Sequence, residues 1–186
     1  MISKVLVKLI DKAILPAILL LATRIISVVL VSKYFNLEFE LSRSGFVFGS
    51  IEEYVKVNSY SALVMVVMLV IGLLFVLIKS LVFHESHIKP NITSKLFSLK
   101  IYSLIQNSFD LYTQGAIWLS YAYLLLVVNG VMTLSGVMYK WVFFITLGVT
   151  VVATVLFALD VDEEIKIEKE DKEHYDIDSK YLQGKE

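Results

Sequence analysis

The sequence predicts an all-α integral membrane protein, built as a bundle of four transmembrane helices. Of its 186 residues, 57% are hydrophobic, and the mean hydropathy is +0.73. Its apolar residues gather in four runs, each close to the roughly 20 residues that a helix needs to cross about 30 Å of hydrocarbon. A soluble domain of this length could not bury so much apolar surface. We therefore expect the chain to place that surface against a lipid bilayer.

The charged residues are divided unevenly along the chain. Eleven of the eighteen acids follow Leu159 together with five of the seventeen bases, so this part carries −6 and the remainder carries +5. A basic membrane part with an acidic tail is not the pattern of a nucleic-acid-binding protein. The chain has no cysteine, which excludes disulfides, thiolate metal ligands and dithiol redox chemistry.

The first segment, residues 1–12, is predicted to form an amphipathic helix on the membrane surface. Lys4, Lys8 and Lys12 recur at four-residue steps, with apolar residues on the other side of the helix. The first span follows at about residues 13–33. A signal peptide begins in the same way, but no small-x-small cleavage site precedes Lys33, so we expect the segment to be retained.

The remaining spans complete a transmembrane domain over residues 13–159. We predict them at about residues 59–79, 110–129 and 141–159. Alternating residues at 37–41, a turn at 42–45 and a second apolar triplet predict a short β-hairpin between the first two spans.

The connections after the second span are also predicted. A basic loop over residues 79–100 overlaps the start of a third helix, which is predicted to begin near Thr93 or Ser94 and to be amphipathic from about Leu96. Asn129-Gly130 and Ser135-Gly136 bound the connection to the fourth span. Residues 160–186 are predicted to be a solvated acidic tail in the cytoplasm, with a short helix over 162–175.

Lysine and arginine near the span ends predict the orientation. Seven lie in the amino-terminal segment and the loop after the second span, against four in the other two loops. Because basic loops tend to remain in the cytoplasm, we predict a multi-pass protein of the plasma (inner) membrane with both termini cytoplasmic.

Arg24 is the strongest candidate for a functional residue. It lies about eleven residues into the first span, near the bilayer midplane, where a charge costs at least roughly 2.5–3.5 kcal/mol unless it is paired or hydrated. Side chains of a helix lean toward its amino terminus, in the direction of a polar stripe on the third helix. The stripe comprises Asn107, Asp110 and Gln114. One interpretation is a buried polar contact between these helices, which could line a substrate path. The other is an arginine at a lipid or subunit boundary, or a span displaced in register.

A second candidate surface lies on the fourth span. Small side chains recur there at four-residue steps, at Thr146, Thr150, Thr154 and Ala158. Such a face lets another helix approach closely, and its hydroxyls can form hydrogen bonds across the contact. The sequence leaves open whether the neighbour is in the same bundle or in a partner.

Metal and enzyme chemistry are not indicated by the sequence. His84, Glu85 and His87 are good zinc ligands, but a site needs more of them, and the only other histidine is His174 in the tail. No nucleophile elbow, phosphate-binding loop or zinc-protease helix occurs. We predict no metal, no cofactor and no enzymatic activity.

The remaining function class is a non-catalytic subunit or scaffold of a membrane assembly. Its partners would be the lipid bilayer and other membrane-protein subunits or further copies of the chain, without nucleic acid. The alternative is a small transporter or channel component with a polar site around Arg24 and Asp110. A polar cavity at the depth of Arg24 would favour the alternative.

Overall fold

A computed structural model describes residues 2–43, 45–83 and 108–183, and this part of the chain is mostly helical. Its helices are α1 (Ile2–Tyr34), α2 (Ile51–Phe83), α3 (Ser108–Leu134) and α4 (Lys140–Gln183). Each contains a segment long and apolar enough to cross a membrane. These four segments are Lys12–Tyr34, Ile51–Ser80, Asp110–Leu134 and Lys140–Asp162.

A β-hairpin connects α1 to α2, which confirms the hairpin expected from the alternating sequence. Strands β1 (Phe39–Ser42) and β2 (Gly45–Phe48) pair antiparallel. Gly45 has a φ of +115°, a backbone conformation that favours glycine at the tight turn. The ring of Phe39 lies against those of Phe46 and Phe48, so the aromatic side chains hold the two strands together.

Local capping sets the helix ends near the hairpin. Asn36 and Gly136 have positive φ, and each is followed by a residue whose N–H bonds back to a carbonyl in the preceding helix, which ends α1 and α3. Ser50 begins α2, because its Oγ accepts a hydrogen bond from the N–H of Glu53 at 3.2 Å. The connection from α3 to α4 therefore begins after Leu134, and Asn129 lies inside the helix rather than at a turn.

The four helices alternate in direction, which gives the bundle two different ends. At the hairpin end, the N–H of Tyr139 in the α3–α4 turn donates to Ser59 Oγ of α2 at 2.9 Å. At the other end, here called the charged end, Lys12 Nζ lies 2.8 Å from Asp110 Oδ1. Ser80 and Asp160 also meet there, so each of the four helices contributes a polar side chain to this end.

The core is a narrow column between α1, α2 and α3. Leu69 and Ala122 are fully buried in it, next to Val66, Leu20 and Leu125. The outer faces of the helices are also apolar: Leu15 is 70% exposed and Val127 is 64% exposed. The bundle thus has more apolar surface outside than its core can take up.

Both long end helices are more continuous than the sequence patterns suggest. The predicted surface helix and first span form one helix, α1, and α4 runs through the predicted tail to Gln183. No proline or glycine interrupts residues 160–183, and Lys166 bonds Asp162 one helical turn away at 2.7 Å. Most of the predicted basic loop and the start of the third helix lie in residues 84–107, outside the described residues, as do His84, Glu85 and His87.

Candidate functional site: a buried polar network around Arg24

Arg24 projects from α1 and is held by α2. Its Nη1 donates to the backbone carbonyl of Asn58 at 3.1 Å and to Ser61 Oγ, and its Nη2 donates to Asn58 Oδ1. Asn58 is 2% exposed and Ser61 is fully buried. Hydrogen bonds from a charged donor are among the stronger ones in proteins. Arg24 therefore ties α1 to α2 in the interior of the apolar segments.

The network continues from Asn58 to the turn between α3 and α4. Asn58 Nδ2 donates to the carbonyl of Val137 at 2.6 Å and lies 3.5 Å from Met132 Sδ. The side chain of Asn58 thus accepts from Arg24 through its oxygen and donates to the turn through its nitrogen. We call Arg24, Asn58, Ser61 and the Val137 carbonyl the Arg24 network.

The guanidinium extends toward the hairpin end, opposite to the expected direction. Ser27 Oγ lies 3.4 Å from the carbonyl of Ser61, which puts these two residues at the same depth. Asn58 is one helical turn closer to the hairpin than Ser61, about 4.5 Å along α2. The oxygen acceptors of Asn58 lie on that side. Hydrogen bonds to them therefore direct the Arg24 side chain toward the hairpin end, although helical side chains usually point toward the amino terminus of their helix.

The structure does not bring Arg24 to the polar stripe of the third helix. Asp110 accepts from Lys12 at 2.8 Å, and Lys12 and Arg24 lie twelve residues apart on α1, which is about 18 Å along the helix. Gln114 is only one helical turn further along α3, and Arg24 makes no hydrogen bond to it among the described contacts. The partner helix of Arg24 is therefore corrected from α3 to α2, and Asn107 lies outside the described residues.

Neutral groups surround the charge of Arg24. Within the part of the chain that the structure describes, its hydrogen bonds go to a carbonyl, an amide oxygen and a hydroxyl, and none goes to a carboxylate. Such acceptors keep the guanidinium hydrogen-bonded at a depth where full hydration is lost. They leave the positive charge without an opposite one in direct contact.

The small-residue face of α4 lies mostly against α3. Thr146 and Thr150 are buried, and Thr146 Oγ1 accepts from Asn129 Nδ2 at 2.9 Å. Thr154 Oγ1 lies 2.9 Å from the hydroxyl of Tyr123, whereas Ala158 is exposed. The threonine hydroxyls also donate to carbonyls of their own helix. This part of the face therefore packs within the bundle, against α3 of the same chain.

Sequence reasoning missed the residues of α2 that hold Arg24. Asn58, Ser59 and Ser61 are almost fully buried. In the sequence they stand at the start of the second apolar run, where polar residues usually mark the end of a membrane span. The available signal was their number, because three polar residues fall within four positions directly before a run that is apolar from residue 62 to residue 78. A charge in one span needs polar partners in another, and this cluster offers them.

Two cavities of the described part lie away from the Arg24 network. One, of about 360 Å³, lies between α2, α3 and α4 toward the charged end. The other, of about 920 Å³, lies beside the hairpin and is lined by Glu38, Glu40 and Glu53. Neither is lined by Arg24, Asn58 or Ser61.

Comparison with models of protein families, with curated proteins and with solved structures gave no match.

Proposed function

We propose that the chain is an integral membrane protein that crosses the bilayer four times. Its four long apolar helices and the exposed apolar side chains around them support this, because water would solvate such a surface poorly. We propose the plasma (inner) membrane as its location, and the count of basic residues supports an orientation with the charged end and both termini in the cytoplasm.

Within that membrane we propose a non-catalytic role as a subunit or scaffold of a larger assembly. The observation that carries this proposal is the Arg24 network, in which a charge in the middle of a span is used to join helices. Arg24 donates to Asn58 and Ser61, and Asn58 donates to the Val137 carbonyl, so these two donor side chains link α1, α2 and the α3–α4 turn. Such a link gives the bundle a fixed shape to present to a partner.

The transporter alternative needs Arg24, Asp110 and Gln114 to line one water-accessible path. Arg24 bonds α2 while Asp110 bonds Lys12, about 18 Å away along α1. These observations support the subunit over the transporter.

The carboxyl-terminal part of α4 is the surface that we propose for recruiting a partner. From Asp162 to Gln183 the helix continues for about 32 Å beyond its apolar segment. Acids outnumber bases in residues 160–186 by eleven to five, so a basic surface on a cytoplasmic partner would complement it.

The test compares the full chain with a truncation after Asp162. Membranes carrying either form are solubilised in mild detergent, and the size of the native particle and the proteins that copurify are determined. We expect both forms to accumulate in membranes to similar levels. The full chain should migrate as a complex with a partner in fixed stoichiometry, and the truncated chain should lose that partner or hold it more weakly.

Two results would contradict the proposal. If the truncated chain failed to accumulate in membranes, the end of α4 would be part of the folding unit rather than a recruiting surface. If the full chain migrated alone and, after reconstitution into vesicles, carried a solute flux that Asn58→Leu abolished, the transporter alternative would be correct.

A further inference from the structure

The apolar cavity between α2, α3 and α4 is a candidate ligand site separate from the Arg24 network. Its volume is about 360 Å³, which lies at the lower end of the range for small-molecule pockets. Its walls are aliphatic and aromatic, with Leu73 and Leu77 from α2, Leu119 from α3, and Val149 and Leu156 from α4. The cavity is partly open to its surroundings.

Only one end of this cavity is strongly polar. Asp160 lines it there, and Ser80 Oγ lies 2.8 Å from both carboxylate oxygens of Asp160, so its single proton is donated to this carboxylate. Lys79, although next to Ser80 in the chain, does not line the cavity, and its Nζ lies 4.7 Å from the centre of the Phe75 ring, which does not line it either. The charged group at this end of the apolar cavity is therefore the carboxylate of Asp160.

The length of the cavity matches one leaflet of a bilayer. Its lining runs from Val70 to Ser80 on α2 and from Gly148 to Asp160 on α4, which is about 15 Å and about 18 Å along the two helices. The hydrocarbon of one leaflet is about 15 Å thick. If Asp160 lies at the edge of the hydrocarbon, the cavity ends near the midplane.

Two glycines of the lining shape the space in opposite ways. A Cβ at Gly115 would overlap the ring of Phe157, so this glycine lets the ring lie on the α3 backbone and close one wall. A Cβ at Gly148 would meet nothing within 4 Å. The lack of a side chain at Gly148 therefore leaves part of the cavity open.

We propose that this cavity binds one acyl chain of a membrane lipid whose zwitterionic headgroup ends in a primary ammonium, as in phosphatidylethanolamine. The acyl chain fills the apolar length, and the ammonium donates to Asp160. This inference rests on the proposed membrane location. In a bilayer the acyl chain is already in apolar surroundings, so the preference among lipids comes from the headgroup. A primary ammonium can donate hydrogen bonds to the carboxylate, whereas the quaternary ammonium of phosphatidylcholine cannot.

The test offers the purified full chain three lipids that share their acyl chains. Dioleoyl lipids with ethanolamine, choline and glycerol headgroups are added at equal concentration, and native mass spectrometry measures the bound lipid. We expect a one-to-one adduct with the ethanolamine lipid, at roughly ten times the abundance of the other two, the effect of about one charge-assisted hydrogen bond.

Two variants and a matched control locate the adduct in the cavity. Gly148→Phe fills the space and should lower the adducts of all three lipids. Val151→Phe adds the same bulk on the same helix at a side chain that is 53% exposed and does not line the cavity, and it should leave the adducts unchanged. Asp160→Asn keeps an acceptor for Ser80 but removes the charge, so the ethanolamine lipid should fall to the level of the choline lipid.

The outcomes separate this inference from the proposed membrane location. Equal adducts of the three lipids, a preference for the glycerol lipid, or an adduct that Asp160→Asn leaves unchanged would each overturn the headgroup assignment. No specific adduct, in a chain that stays in membranes after alkaline carbonate washing, would overturn the lipid site alone. Release of the chain by carbonate would overturn the membrane location as well. If Gly148→Phe does not accumulate, Asp160→Asn decides.

Discussion

Arg24 shows how a single side chain can be costly and useful at once. Its guanidinium lies within an apolar segment, and neutral acceptors on Asn58 and Ser61 take up its hydrogen bonds. A hydrogen-bonded amide and hydroxyl stabilise the charged donor, while removal of the donor leaves those buried acceptors unsatisfied. The effect of a substitution therefore depends on what the new side chain offers to the same acceptors.

The effect of a substitution at Arg24 on stability should depend on whether the new side chain can donate hydrogen bonds to those acceptors. Arg24→Leu loses the hydrogen bonds but also removes the desolvated charge, and we expect it to lower the free energy of unfolding by about 1–3 kcal/mol. Arg24→Glu sets a carboxylate against oxygen acceptors and should cost about 3–5 kcal/mol. Thermal and denaturant unfolding of the purified protein in detergent measures both.

Thr23→Leu is the matched control for these variants. The hydroxyl of Thr23 bonds only the Leu19 carbonyl of its own helix among the described contacts, at 2.7 Å, so this substitution should change stability by less than about 0.5 kcal/mol. Equal losses for Arg24→Leu and Arg24→Glu would mean that the neutral acceptors do not hold the guanidinium.

At the scale of the elements, the sequence predicts what depends on local pattern and misses what depends on pairing. The four apolar runs predicted the four long helices, and the alternating residues on either side of a turn predicted the hairpin. The sequence pattern did not predict that α4 continues to Gln183, because the glutamates and lysines after residue 160 indicate a solvated tail. These residue types are also good helix formers, which explains why the helix continues. Arg24 was found because it interrupts an apolar run, but its partner was not. The choice between α2 and α3 depends on how the helices pair and at what depth, which no single segment encodes.

Helix packing in this bundle depends on a close approach at Gly72. A Cβ at this position would overlap the six-membered ring of Trp118, so α3 packs its largest side chain directly on the α2 backbone. Gly72→Ala should therefore force the ring or the helices apart and lower stability by about 1–3 kcal/mol. In a Trp118→Leu background, where the ring is gone, the same change should cost much less. Unfolding of the single and double variants measures this coupling.

Gly148→Ala provides the comparison within the same bundle. Its Cβ would meet nothing within 4 Å, and alanine favours a helix over glycine by up to about 1 kcal/mol. We expect it to be neutral or stabilising. If Gly72→Ala were equally harmless, the contact between Gly72 and Trp118 would not determine how α2 and α3 pack.

At the scale of the whole molecule, the two ends of the bundle differ in chemistry. The hairpin end joins its helices through amide, hydroxyl and backbone groups around Asn58 and Ser59. The charged end uses an ion pair between Lys12 and Asp110, whose side chains are 20% and 25% exposed, and a carboxylate at Asp160. The two ends thus join their helices through different groups, and the larger number of basic residues predicted near the charged end supports a fixed direction of insertion.

This direction can be tested with single cysteines, because the natural chain contains none. Glu40 in β1 and Ser135 in the α3–α4 turn are exposed at the hairpin end, and Lys166 is 69% exposed beyond the charged end. Since the helices alternate in direction, Glu40→Cys and Ser135→Cys should both react with a membrane-impermeant maleimide in intact cells. Lys166→Cys should react only after permeabilisation, and the cysteine-free chain gives the background. Labelling of Lys166→Cys alone in intact cells would reverse the orientation but preserve the four spans. Reaction of only one of the two hairpin-end cysteines would instead contradict the span count itself, because four antiparallel spans hold the hairpin and the α3–α4 turn on one side of the membrane.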